Sequence, residues 1–172
     1  MLKTFILSII ILGSTSPLLA QRVTTPDVTP NYIIERVNEI RSKGCRCGRT
    51  KMPPVKPVTW NGDLYKTASD YANYMHRTNR FEHTTRSGEN VGDRLDKVGY
   101  AFQHCGENIA LGYSDFESVL SGWLESKSHC KMIMDTNMKH MAVGRYDKYW
   151  VQHFGSPQPS NTRRIGTKYT EN

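Results

Sequence analysis

The chain has 172 residues, with 23 Lys and Arg against 16 Asp and Glu, and a formal net charge of +7. The basic residues are scattered, with no run beyond Arg163-Arg164, which fits ordinary solubility charge better than a dedicated polyanion site, and the export predicted by the N-terminus argues against nucleic acid as a partner. The length suits one domain built on one core and leaves no room for a second.

Lys3, the apolar run 5–12 and the break at Ser14, Ser16 and Pro17 predict a signal peptide over residues 1–20, with Ala20 before the cleavage point. The run is too short to span a bilayer, so no stable membrane span is expected after cleavage, and the protein is expected to be secreted, to periplasm or medium. Residues 21–30 read as a short linker. Thr29 and Pro30 open a first helix, Ile33, Val37 and Ile40 recur at helical spacing, and Gly44 stops it. Residues 48–57 read as a loop, and Val58 and Trp60 bracket a short strand. Asn61 caps a second helix with the stripe Leu64, Ala68, Tyr71, Ala72 and Met75. A loop carries residues 81–90, and a short helix near 92–98 ends at Gly99. A strand from Tyr100 to His104 runs into Glu107-Asn108-Ile109. Ser114-Asp115-Phe116-Glu117 reads as a capping box, opening a helix whose inner face is Phe116, Val119, Leu120 and Trp123. A further helical turn falls at 129–134. Strands at 141–146 and 149–154 form a hairpin through Asp147-Lys148. Residues 156–172 have no periodic apolar positions and read as a frayed polar tail. This order predicts an α+β domain with helices flanking a mainly antiparallel sheet.

Four cysteines behind an export signal favour disulfides. A bridge between Cys45 and Cys47 would close too short a loop, so each is expected to join one of Cys105 and Cys130, which leaves two connectivities. The alternative is a metal site, but zinc thiolate pairs usually stand two to four residues apart, and Cys45-Arg46-Cys47 falls short of that.

Among residues that could carry chemistry, His83 lies in a polar loop, His129 follows an amphipathic helix, and Glu107 sits between Gly106 and Asn108 at a strand end. A glutamate beside two imidazoles could set their tautomers or share a metal. His76, His104, His140 and His153 read as structural, with His153 alternating with Trp150 and Phe154 and expected to face solvent. There is no Gly-x-Ser-x-Gly elbow, no His-Glu-x-x-His zinc helix and no phosphate-binding glycine loop.

Phe81-Glu82-His83, then Cys105-Gly106-Glu107-Asn108-Ile109-Ala110, then 123–129 with Trp123 and His129, then Tyr149-Trp150-Val151-Gln152-His153-Phe154-Gly155 follow one another in an order and spacing that resembles the CAP superfamily in its compact bacterial form. The resemblance covers residues 31–155. It implies a three-layer α–β–α sandwich and one cleft that gathers His83, Glu107 and His129. Ser126, next to Glu125, stands where the family often has a second glutamate, and Asn108 is expected to tie the strand end to neighbouring backbone. Cys130 stands where a basic residue usually follows the last histidine, which implies a local bridge at the His129 turn.

The expected function is a binding or envelope-associated module, monomeric, whose cleft takes an unknown small ligand, an envelope component, or a divalent metal such as zinc on His83 and His129. A metal-dependent hydrolase with Glu107 as general base is the alternative, and an inert secreted scaffold is the next.

Overall fold

The structure, a computed structural model, describes residues 28–159 and 168–171. The expected signal peptide and most of the linker lie outside the described residues. The elements in chain order are α1 (Pro30–Lys43), β1 (Cys45–Cys47), β2 (Thr50–Met52), β3 (Thr59–Trp60), α2 (Gly62–Thr78), α3 (Val91–Lys97), β4 (Phe102–Leu111), α4 (Phe116–Glu125), α5 (Lys127–Ile133), β5 (His140–Tyr146), β6 (Tyr149–Pro157) and β7 (Lys168–Glu171). Among the described residues no helix is long and apolar enough to cross a membrane.

The helix ends follow local chemistry. The Thr29 hydroxyl accepts from the Tyr32 amide, and Gly44, at φ 71°, closes α1 in a conformation that favours glycine. The Asn61 side chain accepts from the Leu64 amide at the start of α2. The capping box of α4 is shifted one residue from the expected position: Asp115, not Ser114, is the cap, and Ser118 reciprocates. Residues 48–57 are not only loop, because β1 and β2 form a small antiparallel hairpin.

The main sheet has the order β3-β5-β6-β4-β7. The β5-β6 and β6-β4 pairs are antiparallel, while the short edge strands β3 and β7 run parallel to their neighbours. The backbone of β7 pairs with β4 from His104 to Glu107, so part of the expected frayed tail is a strand. Edge pairing needs only backbone donors and acceptors, which explains why the polar side-chain pattern did not reveal it.

Helices cover both faces of the sheet. On one face α2 and α3 pack Leu64, Ala68, Tyr71, Ala72, Met75, Val91 and Leu95 against Cys105, Ile109, Ala142, Tyr149 and Val151. On the other, α1, α4 and α5 bring Ile33, Val37, Phe116, Leu120, Trp123 and Ile133 onto Ala110, Met141, Val143, Trp150 and Phe154. The architecture is the expected α–β–α sandwich with a mainly antiparallel sheet. Arg41, fully buried on α1, ties the second layer together by donating to the carbonyls of Lys56, Ile133 and Asp135 at 2.8, 2.6 and 3.1 Å. The Ile133 carbonyl belongs to the last turn of α5, where helix carbonyls lack intrahelical partners.

The cysteines depart from full pairing. Cys47 is bonded to Cys130, while Cys45 and Cys105 are thiols. Cys105 points into the α2–α3 layer beside Val91, Leu95 and Phe102, whereas Cys47 and Cys130 belong to the opposite layer. The sheet stands between them, and a bridge demands Cα atoms within about 7 Å. Cys45 is thereby left as the odd member of the trio on its side.

Two outcomes follow. Thiol titration of the denatured, unreduced protein should find two thiols per chain, Cys45 reacting in the native state and the fully buried Cys105 only after unfolding; a count of none would contradict this arrangement. A Cβ added at Gly144 would lie 2.3 Å from the Ser69 amide nitrogen, because α2 rests directly on β5 there. Gly144→Ala should therefore lower stability in urea unfolding by about 1–3 kcal/mol, the usual cost of overpacking, and an unchanged midpoint would show that α2 can move away freely.

Candidate functional site around Glu107

Strand β4 alternates between the two layers. Cys105, Glu107 and Ile109 face α2 and α3, and Asn108 and Ala110 face α1, α4 and α5. Glu107 is wholly buried, so its charge must be met by donors from the protein. Three supply them. His83 Nδ1 donates to Oε1 at 2.8 Å, Arg94 Nη2 donates to Oε2 at 2.6 Å, and His153 Nε2 donates to Oε2 at 2.8 Å. The donors come from the 81–90 loop, from α3, and from β6, where the antiparallel register sets His153 directly opposite Glu107.

A further ring of contacts holds these donors in place. The Arg94 guanidinium lies 3.5 Å over the centroid of the Tyr71 ring, and Nη1 donates to the Glu89 carbonyl at 3.1 Å. The Tyr71 hydroxyl donates to the Glu82 carbonyl at 2.6 Å, which pins the loop next to His83 onto α2. Thr67 Oγ1 lies 3.0 Å from His153 Nδ1. With Nε2–H committed to Glu107, Nδ1 of His153 faces the Thr67 hydroxyl, which also lies 3.1 Å from the carbonyl oxygens of Asp63 and Leu64.

The electrostatics follow from burial and these bonds. Burial alone would push the Glu107 carboxyl up, but the hydrogen bonds from His153 and His83 and the charge of Arg94 outweigh it and hold the group down at about 2. Burial keeps His153 below the ordinary imidazole range, against the opposing pull of the Glu107 hydrogen bond. The net result is a buried Glu107–Arg94 ion pair flanked by two imidazoles.

His83 and Glu107 are thus brought together as the sequence suggested. His83 is half-buried, and with Nδ1–H given to Glu107 its neutral form carries the lone pair on Nε2. His129, half-buried on α5, is reached from the other face of β4: the Asn108 amide donates to the His129 carbonyl at 3.2 Å and to Gln152 Oε1 at 2.9 Å. This is the backbone tie expected of Asn108. Ser126 caps the junction of α4 and α5, with its hydroxyl 3.4 Å from that of Ser128. Among the described residues, Cys45, Cys47 and Cys130 form a group whose ligand atoms all lie within 4.8 Å of one another.

Sequence reasoning missed Arg94 and His153. His153 does not face solvent. It lies on the opposite face of β6 from Trp150 and Phe154, but α2 covers that face too, and the side chain is fully buried. Arg94 did leave a signal: with Val91 and Leu95 it sits on the buried face of α3, and an arginine in an apolar stripe requires buried acceptors.

A cavity of about 350 Å³ opens between α2, the 81–90 loop and α3, lined by Thr67, Tyr71, Thr85, Glu89 and Arg94 among others. Neither His83 nor His129 lines it.

The network carries a pH signature. Glu107 titrates lower in the fold than its ordinary 4.5, so its contribution is complete above about pH 4.5 and is lost as pH falls toward about 2. His153 is kept neutral in the fold while the unfolded chain takes up a proton below its ordinary 6.5, which also erodes stability in acid. Glu107→Gln should cost about 3–5 kcal/mol at neutral pH, because it leaves Arg94 buried without its partner. It should also flatten the loss between about pH 4.5 and about pH 2. Urea unfolding of both proteins across pH checks this, and parallel pH profiles would show that Glu107 is not the titrating group.

The cysteine-rich secretory protein family model, CAP, matches residues 34–154. A Bacillus subtilis protein described as uncharacterized membrane protein YlbC is 33% identical over 97 residues, which is 56% of this chain and 28% of that protein. Uncharacterized protein YkwD of the same organism is 27% identical over 151 residues, 83% of this chain and 55% of that protein. The chain thus spans about a quarter to a half of the length of these relatives. Among solved structures, an extracellular SCP-domain protein of Bacillus anthracis is similar with TM-score 0.65 and 30% identity, covering 73% of this chain and 39% of that one. An outer surface protein of Borrelia burgdorferi shares the fold with TM-score 0.64 at 21% identity, covering 74% of this chain and 92% of that one. With the family match running across most of the described domain, and with the sandwich and its buried glutamate in place, this chain belongs to the cysteine-rich secretory protein (CAP) family.

Proposed function

We propose that this CAP-domain protein is exported and acts as a binding module, with His83 as a contact group for a small ligand and Glu107 as the buried residue that orients it. The observation that carries the reading is the saturation of Glu107. Both carboxylate oxygens already accept hydrogen bonds, one of them twice, and the group is held down at about 2. A general base needs an available oxygen and a pKa near working pH, so the hydrolase reading loses its candidate base. What Glu107 can do is fix the His83 tautomer, turning Nε2 into an acceptor for a ligand donor or a cation.

Export is supported by the leader-like residues 1–20 and by the relative from Bacillus anthracis, which is described as extracellular. His129, Ser126 and Asn108 belong to the same proposed binding region, with Asn108 holding the His129 backbone. A divalent cation such as zinc would find His83 and His129 there with solvent completing its shell, which makes a weak, exchangeable site.

Calorimetric zinc titration of the oxidised protein tests this. Weak uptake is expected at about pH 7.5 and weaker uptake at about pH 5.5, on either side of the ordinary imidazole pKa near 6.5, because metal-binding imidazole must be neutral. His83→Ala and His129→Ala should each abolish it, with little change in stability. Zinc binding that survives both substitutions would place the site elsewhere, and no binding in the wild type would leave the scaffold reading in front.

A further inference from the structure

The three sulfurs opposite the Glu107 network form a second cluster. Cys45 Sγ lies 3.5 Å from Cys130 Sγ and 3.8 Å from Cys47 Sγ. The Cys45-Arg46-Cys47 spacing falls short of the usual zinc-thiolate pair, but these residues form strand β1. Side chains alternate along a strand, so residues two apart point the same way. Cys45 and Cys47 therefore present both sulfurs to Cys130 on α5, while Arg46 is exposed.

We propose that Cys45, Cys47 and Cys130 constitute a thiolate site for a soft or borderline cation, zinc or cuprous copper, which becomes available when the Cys47–Cys130 bond is reduced. Zinc–thiolate bonds of about 2.3 Å in tetrahedral geometry set sulfurs about 3.8 Å apart. Cys45 already stands near that distance from both partners, so only the Cys47–Cys130 pair has to open. Three thiolates on a divalent ion carry a net charge of about −1, and the cluster has basic neighbours. Lys43, Arg46 and Lys51 line a cavity of about 320 Å³ that also touches Cys45, and this cavity provides an entry path. The stem of Lys127 packs beside Gly48 at the hairpin turn.

The chemistry balances with a dithiol reductant. Its two sulfurs join as a disulfide, and two electrons and two protons pass to Cys47 and Cys130, which become thiols. Metal binding then releases the three thiol protons. The bridge and the metal site exclude each other, because two of the three ligands are shared. Cys105, in the opposite layer, takes no part.

The test is cobalt(II) and zinc titration of the full chain, followed by ligand-to-metal charge-transfer absorption and stoichiometry, with a trialkylphosphine as the reductant because it competes little for the metal. Reduced wild type should bind one ion per chain with thiolate charge-transfer bands, and the oxidised protein should show none. Cys45→Ser, which keeps the bridge and so folds in its oxidised form, should lose at least tenfold in affinity after reduction. Cys105→Ser, which alters a thiol in the opposite layer, should keep the affinity and the thiolate charge-transfer bands of the reduced wild type; those bands separate this site from the proposed cleft, which has no thiolate. If reduction unfolds the chain, zinc should restore its circular dichroism. Absence of charge-transfer bands in reduced wild type, failure of zinc to restore an unfolded chain, or undiminished binding in Cys45→Ser would each overturn the proposal.

Discussion

A single buried carboxylate organises one half of this domain. Glu107 sits in β4, an interior strand of a covered sheet, where an unpaired charge would cost several kcal/mol. Its three donors come from the 81–90 loop, from α3 and from β6, so satisfying Glu107 fixes the relative positions of elements distant in the chain. Tyr71 extends the arrangement, since its ring carries Arg94 and its hydroxyl holds the loop. The loop that presents His83 is therefore ordered by electrostatics as much as by apolar packing. Removing a partner would leave charge buried, so the network is specific in a way that an apolar contact is not.

Past the irregularity between Phe102 and His104, the alternation of β4 divides the chemistry between the layers. Glu107 serves one face and Asn108, its neighbour, serves the other, where it holds the turn that carries His129. The same alternation separates the cysteines: Cys105 belongs with α2 and α3, and the trio of Cys45, Cys47 and Cys130 lies beyond the sheet. Opposite layers about 10 Å from the sheet cannot exchange a disulfide without breaking the core. Arg41 plays the matching structural part on the second face, giving its charge to backbone carbonyls at the end of α5 instead of to a carboxylate.

The relation between His83 and Glu107 bears on function through tautomer choice. A carboxylate can only accept, so it selects the Nδ1–H form of His83 and directs the lone pair to Nε2. The price of that orientation is that Glu107 itself is withdrawn from proton transfer. Binding and base catalysis make opposite demands on such a group, and the proposed binding role rests on the burial and donor count of Glu107.

Much of the architecture was legible in the chain. The caps Thr29 and Asn61, the apolar stripes of α1, α2 and α4, and the β5-β6 hairpin are local signals, governed by residues within one or two turns of each other. So were the candidates His83 and Glu107, through their place in a recognisable order of motifs. Other features depended on tertiary structure, because they join residues far apart in sequence. The opposition of His153 to Glu107 is a matter of strand register, and a strand's own alternation cannot say whether its second face meets water or a helix. The partner of Arg94 lies on another element, so its stripe position told only that a partner must exist. Cysteine identity gave the number of sulfurs, but the sheet decided which could meet, since a layer of backbone between two side chains blocks a bond that composition alone would allow.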